Sequence, residues 1–161
     1  MNCKYLIAAA LAAASLGTSH LAYAADTPGS NPSVKAPSVS ERLAAARKAI
    51  DAKDWSLAMR ELNAAERDDA RNADVQNLLG YSYRKRANPD LPKAFDHYKK
   101  ALAIDPRHKG AHEYIGEAYL MDKKPAEAEK HLAQLEQICG NKTCEEYQDL
   151  AKSIAEYKAK N

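Results

Sequence analysis

A few residues in this 161-residue chain have the type and spacing to do chemistry, and the first of them are cysteines. Cys139 and Cys144 lie five residues apart; Cys3, the only other thiol, sits at the extreme N-terminus. Two such thiols can bridge, act as a redox dithiol or ligate a metal. Their separation is not the Cys-x-x-Cys of thioredoxin-like chemistry, and no histidine stands close by in sequence to complete a metal set. The favoured reading is a structural disulfide. Cys139 falls in the last turn of one helix and Cys144 in the first turn of the next, and the turn Gly140-Asn-Lys-Thr143 is tight enough to bring them within bridging range. A redox-active pair is the alternative.

His108 and His112 are four apart, with Glu113 next, but Gly110 and a helix start fall between them. They read as solvated or helix-end histidines rather than a metal pair. Asn141-Lys-Thr143 matches a glycosylation sequon and is read as coincidence inside the cysteine-closed turn. There is no phosphate-binding glycine loop, no nucleophile elbow and no His-Glu-x-x-His. No catalytic residue, metal ligand or cofactor is assigned.

The N-terminus explains why a bridge is expected. Lys4 supplies a positive start, Leu6 to Leu16 is apolar apart from Ser15, and Ala22-Tyr23-Ala24 places small residues where a signal peptidase cuts. Residues 1–24 therefore read as a signal peptide. Its apolar run is too short to span a bilayer, which takes about 20 residues. The expected location is periplasmic or secreted, with no membrane insertion after cleavage, and exported cysteines are normally paired. Residues 25–38 carry Pro28, Pro32 and Pro37 among Gly, Ser and Asn and read as a flexible leader.

The remainder is of one-domain size. The chain is 45% hydrophobic but only 7% aromatic, with many alanines, which suits helices in close contact rather than a β-sandwich or barrel. A net charge of +2 offers no phosphate-binding surface; Arg84-Lys85-Arg86 and Lys99-Lys100 are short solvated runs, so nucleic acid is not expected as a partner.

From Val39 onward the periodicity is helical throughout. Ser38 with Glu41 forms a capping box, Asp54 opens a second helix, and Asn72 or Asp74 a third. The segment Ala87–Pro92 breaks the third, Asp105-Pro106 ends the fourth, Pro125 suits the first turn of the sixth, and Gly140 its end. Thr143 with Glu146 reads as a second capping box opening a seventh helix.

Comparing the chain with itself reveals a repeat. Gly80 and Gly116 each follow an apolar residue, Leu79 or Ile115, and precede Tyr83 or Tyr119 by three. Ala58, Ala94 and Ala128 recur at matching offsets; so do Leu62, Tyr98 and Leu132, and Ala65, Ala101 and Leu135. Three units result, 39–72, 73–108 and 109–142, followed by 143–161 as a capping helix. Glycine and alanine mark where two helices touch, and the larger residues fill the space around them.

This pattern resembles the tetratricopeptide repeat (TPR) family. Leu79-Gly80, Tyr83, Ala94, Tyr98, Ala101 and Pro106 carry its signature in order, and Ile115-Gly116, Tyr119, Ala128 and Leu132 make a second copy. The first unit departs further, with Ala46 and Ala49 replacing Gly and Tyr. The resemblance implies an all-α superhelix of three helix hairpins plus a C-terminal helix. It also implies a concave groove lined by the first helix of each hairpin.

Helical spacing turns Asn77, Tyr81 and Arg84 toward that groove, with Leu43, Arg47 and Ile50 before them and Glu113, Glu117 and Leu120 after. The groove is thus expected to be basic at one end and acidic at the other, with Tyr81 exposed as an anchor. It does not match the Lys/Asn/Arg carboxylate clamp of some relatives. The functional expectation is a non-catalytic periplasmic scaffold for a protein or peptide partner. Its rivals are a thiol-dependent redox protein and a groove filled by the chain's own leader or by a second copy.

The export reading has a direct check. N-terminal sequencing of native protein should begin at Ala25; protein with Met1 intact in the membrane fraction would contradict it.

Overall fold

The computed structural model describes residues 35–161. The expected signal peptide (residues 1–24), Cys3 and most of the expected leader lie outside the described residues. Seven helices follow in order: α1 Val39–Asp51, α2 Trp55–Asp68, α3 Ala73–Lys85, α4 Leu91–Ile104, α5 Lys109–Met121, α6 Pro125–Cys139 and α7 Glu145–Lys160. None is long and apolar enough to cross a membrane.

Short polar side chains start most of them by satisfying amide groups that the first turn leaves bare. Ser38 and Glu41 form the reciprocal capping box of α1. Asp54, Asn72 and Asp90 accept the amides of Leu57, Val75 and Lys93 at the starts of α2, α3 and α4. At α5 a histidine does this work: the Nδ1 of His108 accepts the Ala111 amide at 3.1 Å. Pro125 occupies the first turn of α6, and Gly140 ends it at φ 71°, a conformation most other side chains resist.

The start of α7 differs from the expected capping box. Cys144, not Thr143, is the residue before the helix, and no side chain caps it. Thr143 instead donates both its amide and its hydroxyl to Asn141 Oδ1, at 2.9 and 2.8 Å. The turn closes on itself locally, so the hydroxyl is taken before it can reach the helix.

Successive helices pair as antiparallel hairpins, α1 with α2, α3 with α4 and α5 with α6, and α7 lies against both α5 and α6. The odd-numbered helices touch one another in sequence, whereas the even-numbered ones do not. A stack whose helices approach on one side and part on the other curves toward the first. The inner face is therefore built from α1, α3, α5 and α7. Two hairpin turns share one geometry: Lys53 and Lys123 both adopt left-handed backbone, at φ 57° and 58°. The longer middle turn closes through the Asp90 amide on the Tyr83 carbonyl instead.

The small residues sit at the contacts. Ala58, Ala94, Ala101, Ala128, Leu79 and Tyr98 are wholly buried. A side-chain carbon at Gly80 would lie 2.6 Å from the ring of Tyr98, so the missing Cβ is what lets this ring lie across α3. At Gly116 it would lie 2.7 Å from Leu150 of α7. Tyr83 is half-buried and stacked on His97, and Tyr119 packs on Phe95 with 4.7 Å between ring centroids. Pro106 differs from the packing role its place in the pattern implies. It is exposed between α4 and α5, and its carbonyl accepts the His112 Nε2–H at 3.0 Å.

The Gly116 contact generates a prediction. Leucine there should cost at least about 3 kcal/mol, the upper end for overpacking. Alanine, although the better helix former, should also destabilise, by about 1 kcal/mol, because the buried Leu150 must yield. Denaturant titrations of the two variants decide this; alanine at or above wild-type stability would show that α7 gives way freely.

Candidate functional site

The inner face centres on one charged side chain. Arg84, near the end of α3, is only 5% exposed. It reaches its partners because α3 and α5 lie side by side and Tyr98 crosses from α4 past Gly80. Its Nε donates to the Tyr98 hydroxyl at 3.3 Å, and its Nη2 pairs with Glu117 of α5. Its guanidinium also stands 5.4 Å from the ring of Tyr81 and 5.7 Å from that of Tyr114. A buried cation is costly unless paired. Here burial opposes the charge, but the Tyr98 phenol and the Glu117 carboxylate hold the guanidinium ionised. In turn, burial pushes the phenols of Tyr98 and Tyr114 well up, so both remain hydrogen-bond donors.

Around this centre the aromatic rings form a row. Tyr81 lies 4.7 Å from Tyr114 and 6.4 Å from Trp55, measured between ring centroids. Both tyrosines are half-buried and line a shallow hollow of about 250 Å³ with Arg47, Ile50, Asp51 and Leu78. Arg47 is exposed and pairs with Asp74 of α3 at 3.5 Å.

Toward α7 the surface becomes acidic. Glu113 of α5 is 9% exposed and makes no ion pair among the described residues. Arg84 and Tyr81 of α3, Tyr114 and Glu117 of its own helix, and Glu146 and Asp149 of α7 surround it. Burial first, and then the carboxylates of Glu117, Asp149 and Glu146, push Glu113 up to about 8. The nearby cation is already engaged: Arg84 by Glu117, whose other oxygen accepts the Ser153 hydroxyl at 3.2 Å. Glu146 carries its own partner, Lys109, at 3.4 Å.

The groove expected from spacing is thus corrected in depth and in polarity. Asn77, Arg84 and Glu113 are buried, and Leu120 joins the core beside Leu150 and Ile154. Leu43 and Ile50 are partly buried against the apolar cluster shared by α1, α2 and α3. Arg84 and Glu117 are not opposite poles of a groove but one ion pair. Tyr81, Arg47 and Glu117 retain access. Tyr114 is central, and helical spacing alone does not mark it; its place one residue after Glu113 is the signal the sequence offers. The contribution of α7 through Glu146, Asp149 and Ser153 had no signal in the repeat pattern.

The remaining candidates settle into structural places. Cys139 and Cys144 have their sulfurs at disulfide distance, with Cα atoms 6.3 Å apart. His108 caps α5 while its Nε2 faces Asp74 at 3.2 Å. His112 is not aligned with it; its Nδ1 meets the Nδ1 of His131 at 2.9 Å, and burial lowers both imidazoles, His131 to about 4.

Residues 86–154 match the tetratricopeptide repeat family. This part of the chain is similar to tetratricopeptide repeats. No curated protein matches it. The seven-helix solenoid fits the TPR architecture, and the matched residues include α4 to α6, most of α7 and the disulfide turn. TPR domains generally mediate protein–protein interaction and are typically non-catalytic scaffolds.

The elevated Glu113 carries a pH signature. Between about 4.5, the ordinary carboxyl value, and about 8, the folded protein binds more protons at this site than the unfolded chain. Its contribution to stability therefore falls as pH rises through that window. Glu113→Gln should be nearly neutral at pH 5 and stabilising by on the order of 1–2 kcal/mol at pH 8 and above, after discounting for partial solvent access. Denaturant melts of both proteins from pH 5 to 9 test this; parallel pH profiles would contradict it.

Proposed function

We propose that this TPR chain is an exported, non-catalytic scaffold that holds a protein or peptide segment along its inner face. The observation that carries the reading is the accessible Tyr81–Tyr114 pair, placed over the buried Arg84 and its Glu117 partner on the surface toward which the stack curves. Aromatic rings offer large contact area at small entropic cost, and such side chains dominate many interfaces. The Arg84–Glu117 pair beneath holds them in place, so little ordering remains for binding to impose.

Export rests on the sequence of residues 1–24, and the disulfide spacing of Cys139 and Cys144 accords with an oxidising compartment. The rival redox function has less behind it, because a bridged pair offers no thiolate nucleophile. Among the described residues, the carboxylates of α5 and α7 make one part of the inner face acidic, with Arg47 and Asp74 paired beside them.

Tyr81→Ala separates function from folding. The melting temperature should stay within a few degrees. Capture of a native partner by affinity purification should weaken by about 1 kcal/mol or more, roughly fivefold. Unchanged capture would move the interface to the convex side or the leader; an unfolded variant would make Tyr81 part of the core.

A further inference from the structure

The cleft between α3, α5 and α7 has an excess of acceptors. It measures about 310 Å³ and is lined by Asn77, Glu113, Tyr114, Glu145, Glu146 and Asp149, with Arg47, Asp74 and His108 at its edge. Its cations are already paired: Arg47 with Asp74 and Lys109 with Glu146 at the cleft itself, and Arg84 with Glu117 beside it. Four acceptor groups are left over. Glu113, Glu145 and Asp149 have no ion pair or hydrogen bond among the described residues, and neither does the side-chain oxygen of Asn77. Asn77 is only 5% exposed, and its Oδ1 is buried without a donor. An unpaired buried acceptor costs about 1–3 kcal/mol and is seldom retained without a use.

We infer that this cleft takes the guanidinium group of an arginine side chain from the partner segment. The inference rests on the inner-face reading above and specifies its ligand. Three features select the group. Once Glu113 ionises, the unmet atoms named above are all acceptors, so the ligand must bring donors and positive charge. They come from three helices, which suits the five fixed N–H groups of a guanidinium better than one compact ammonium. The ring of Tyr114 lines the same cleft, and a planar guanidinium stacks on such a face. Glu113 holds its proton while the cleft is empty and releases it when the cation arrives. Arg84 and Tyr81 on α3, Tyr114 and Glu117 on α5, and Glu145, Glu146 and Asp149 on α7 are the groups that face it.

The test is a selection of phage-displayed random heptapeptides on the purified full-length protein, followed by fluorescence-polarisation binding of the selected peptides. The selected peptides should carry a recurrent arginine. Replacing that arginine with citrulline, its uncharged isostere, should weaken binding at least tenfold, and lysine should weaken it several-fold. Glu113→Gln should cause a comparable loss without loss of folding, and Asp149→Asn, on an exposed residue, a smaller one. Peptides that require Tyr81 but tolerate citrulline would overturn the arginine inference while leaving the inner-face reading intact. Equal binding of lysine and arginine would overturn the guanidinium assignment. Peptides indifferent to both Tyr81→Ala and Glu113→Gln, or no selected peptides at all, would overturn the reading and the inference together.

Discussion

The inner face depends on the burial of one guanidinium. Arg84 lies under the surface that would meet a partner, and three helices must cooperate to keep it charged there. α3 supplies the arginine, α4 the Tyr98 hydroxyl and α5 the Glu117 carboxylate. Tyr98 can reach only because Gly80 lacks a side chain at the crossing. A repeat contact defined by packing is thereby joined to an electrostatic contact defined by charge. Neighbouring helix hairpins otherwise adhere through apolar area that tolerates small slips. An ion pair whose arginine is buried and also bonded to a phenol tolerates less, because displacement leaves a buried charge without its partner.

The same pair shapes the electrostatics beyond it. By occupying Glu117, Arg84 is removed as a counter-ion for Glu113, and α7 then adds Glu146 and Asp149 from the opposite side. α7 is thus more than a cap over the exposed end of α6. It seals the apolar residues around Leu150, and it converts the end of the inner face into an acidic cleft. The Cys139–Cys144 link lies at the turn that introduces this helix. An oxidised turn restricts where α7 can go and so supports the cleft as well as the core.

Much of the fold was legible because helix contacts impose residue size. Gly80, Gly116 and the repeated alanines mark places where larger side chains collide, and such constraints recur with the repeat. Caps at Ser38, Asp54 and Asn72 were legible for the same local reason. Depth was not. Helical spacing gives the direction of Asn77, Arg84 and Glu113, but whether that direction ends in solvent depends on α5 and α7, which come from elsewhere in the chain. Thr143 failed as a cap because Asn141 competes for its hydroxyl at closer range. Arg84 and Glu117 lie 33 positions apart, so only the stacking of α3 on α5 makes them partners. Lys53 and Lys123 hide a shared left-handed turn behind a residue type that does not advertise it.

The central claim is that Arg84 and Glu117 act as a unit that joins the second and third repeats. A double-mutant cycle measures this most directly, using Arg84→Met, Glu117→Gln and the pair, each unfolded in denaturant at pH 7. Each single change should be costly, Arg84→Met about 3 kcal/mol or more, and the double variant should be much less destabilised than their sum, with a coupling of about 1.5–3 kcal/mol. Effects that add to within about 0.5 kcal/mol would contradict the account.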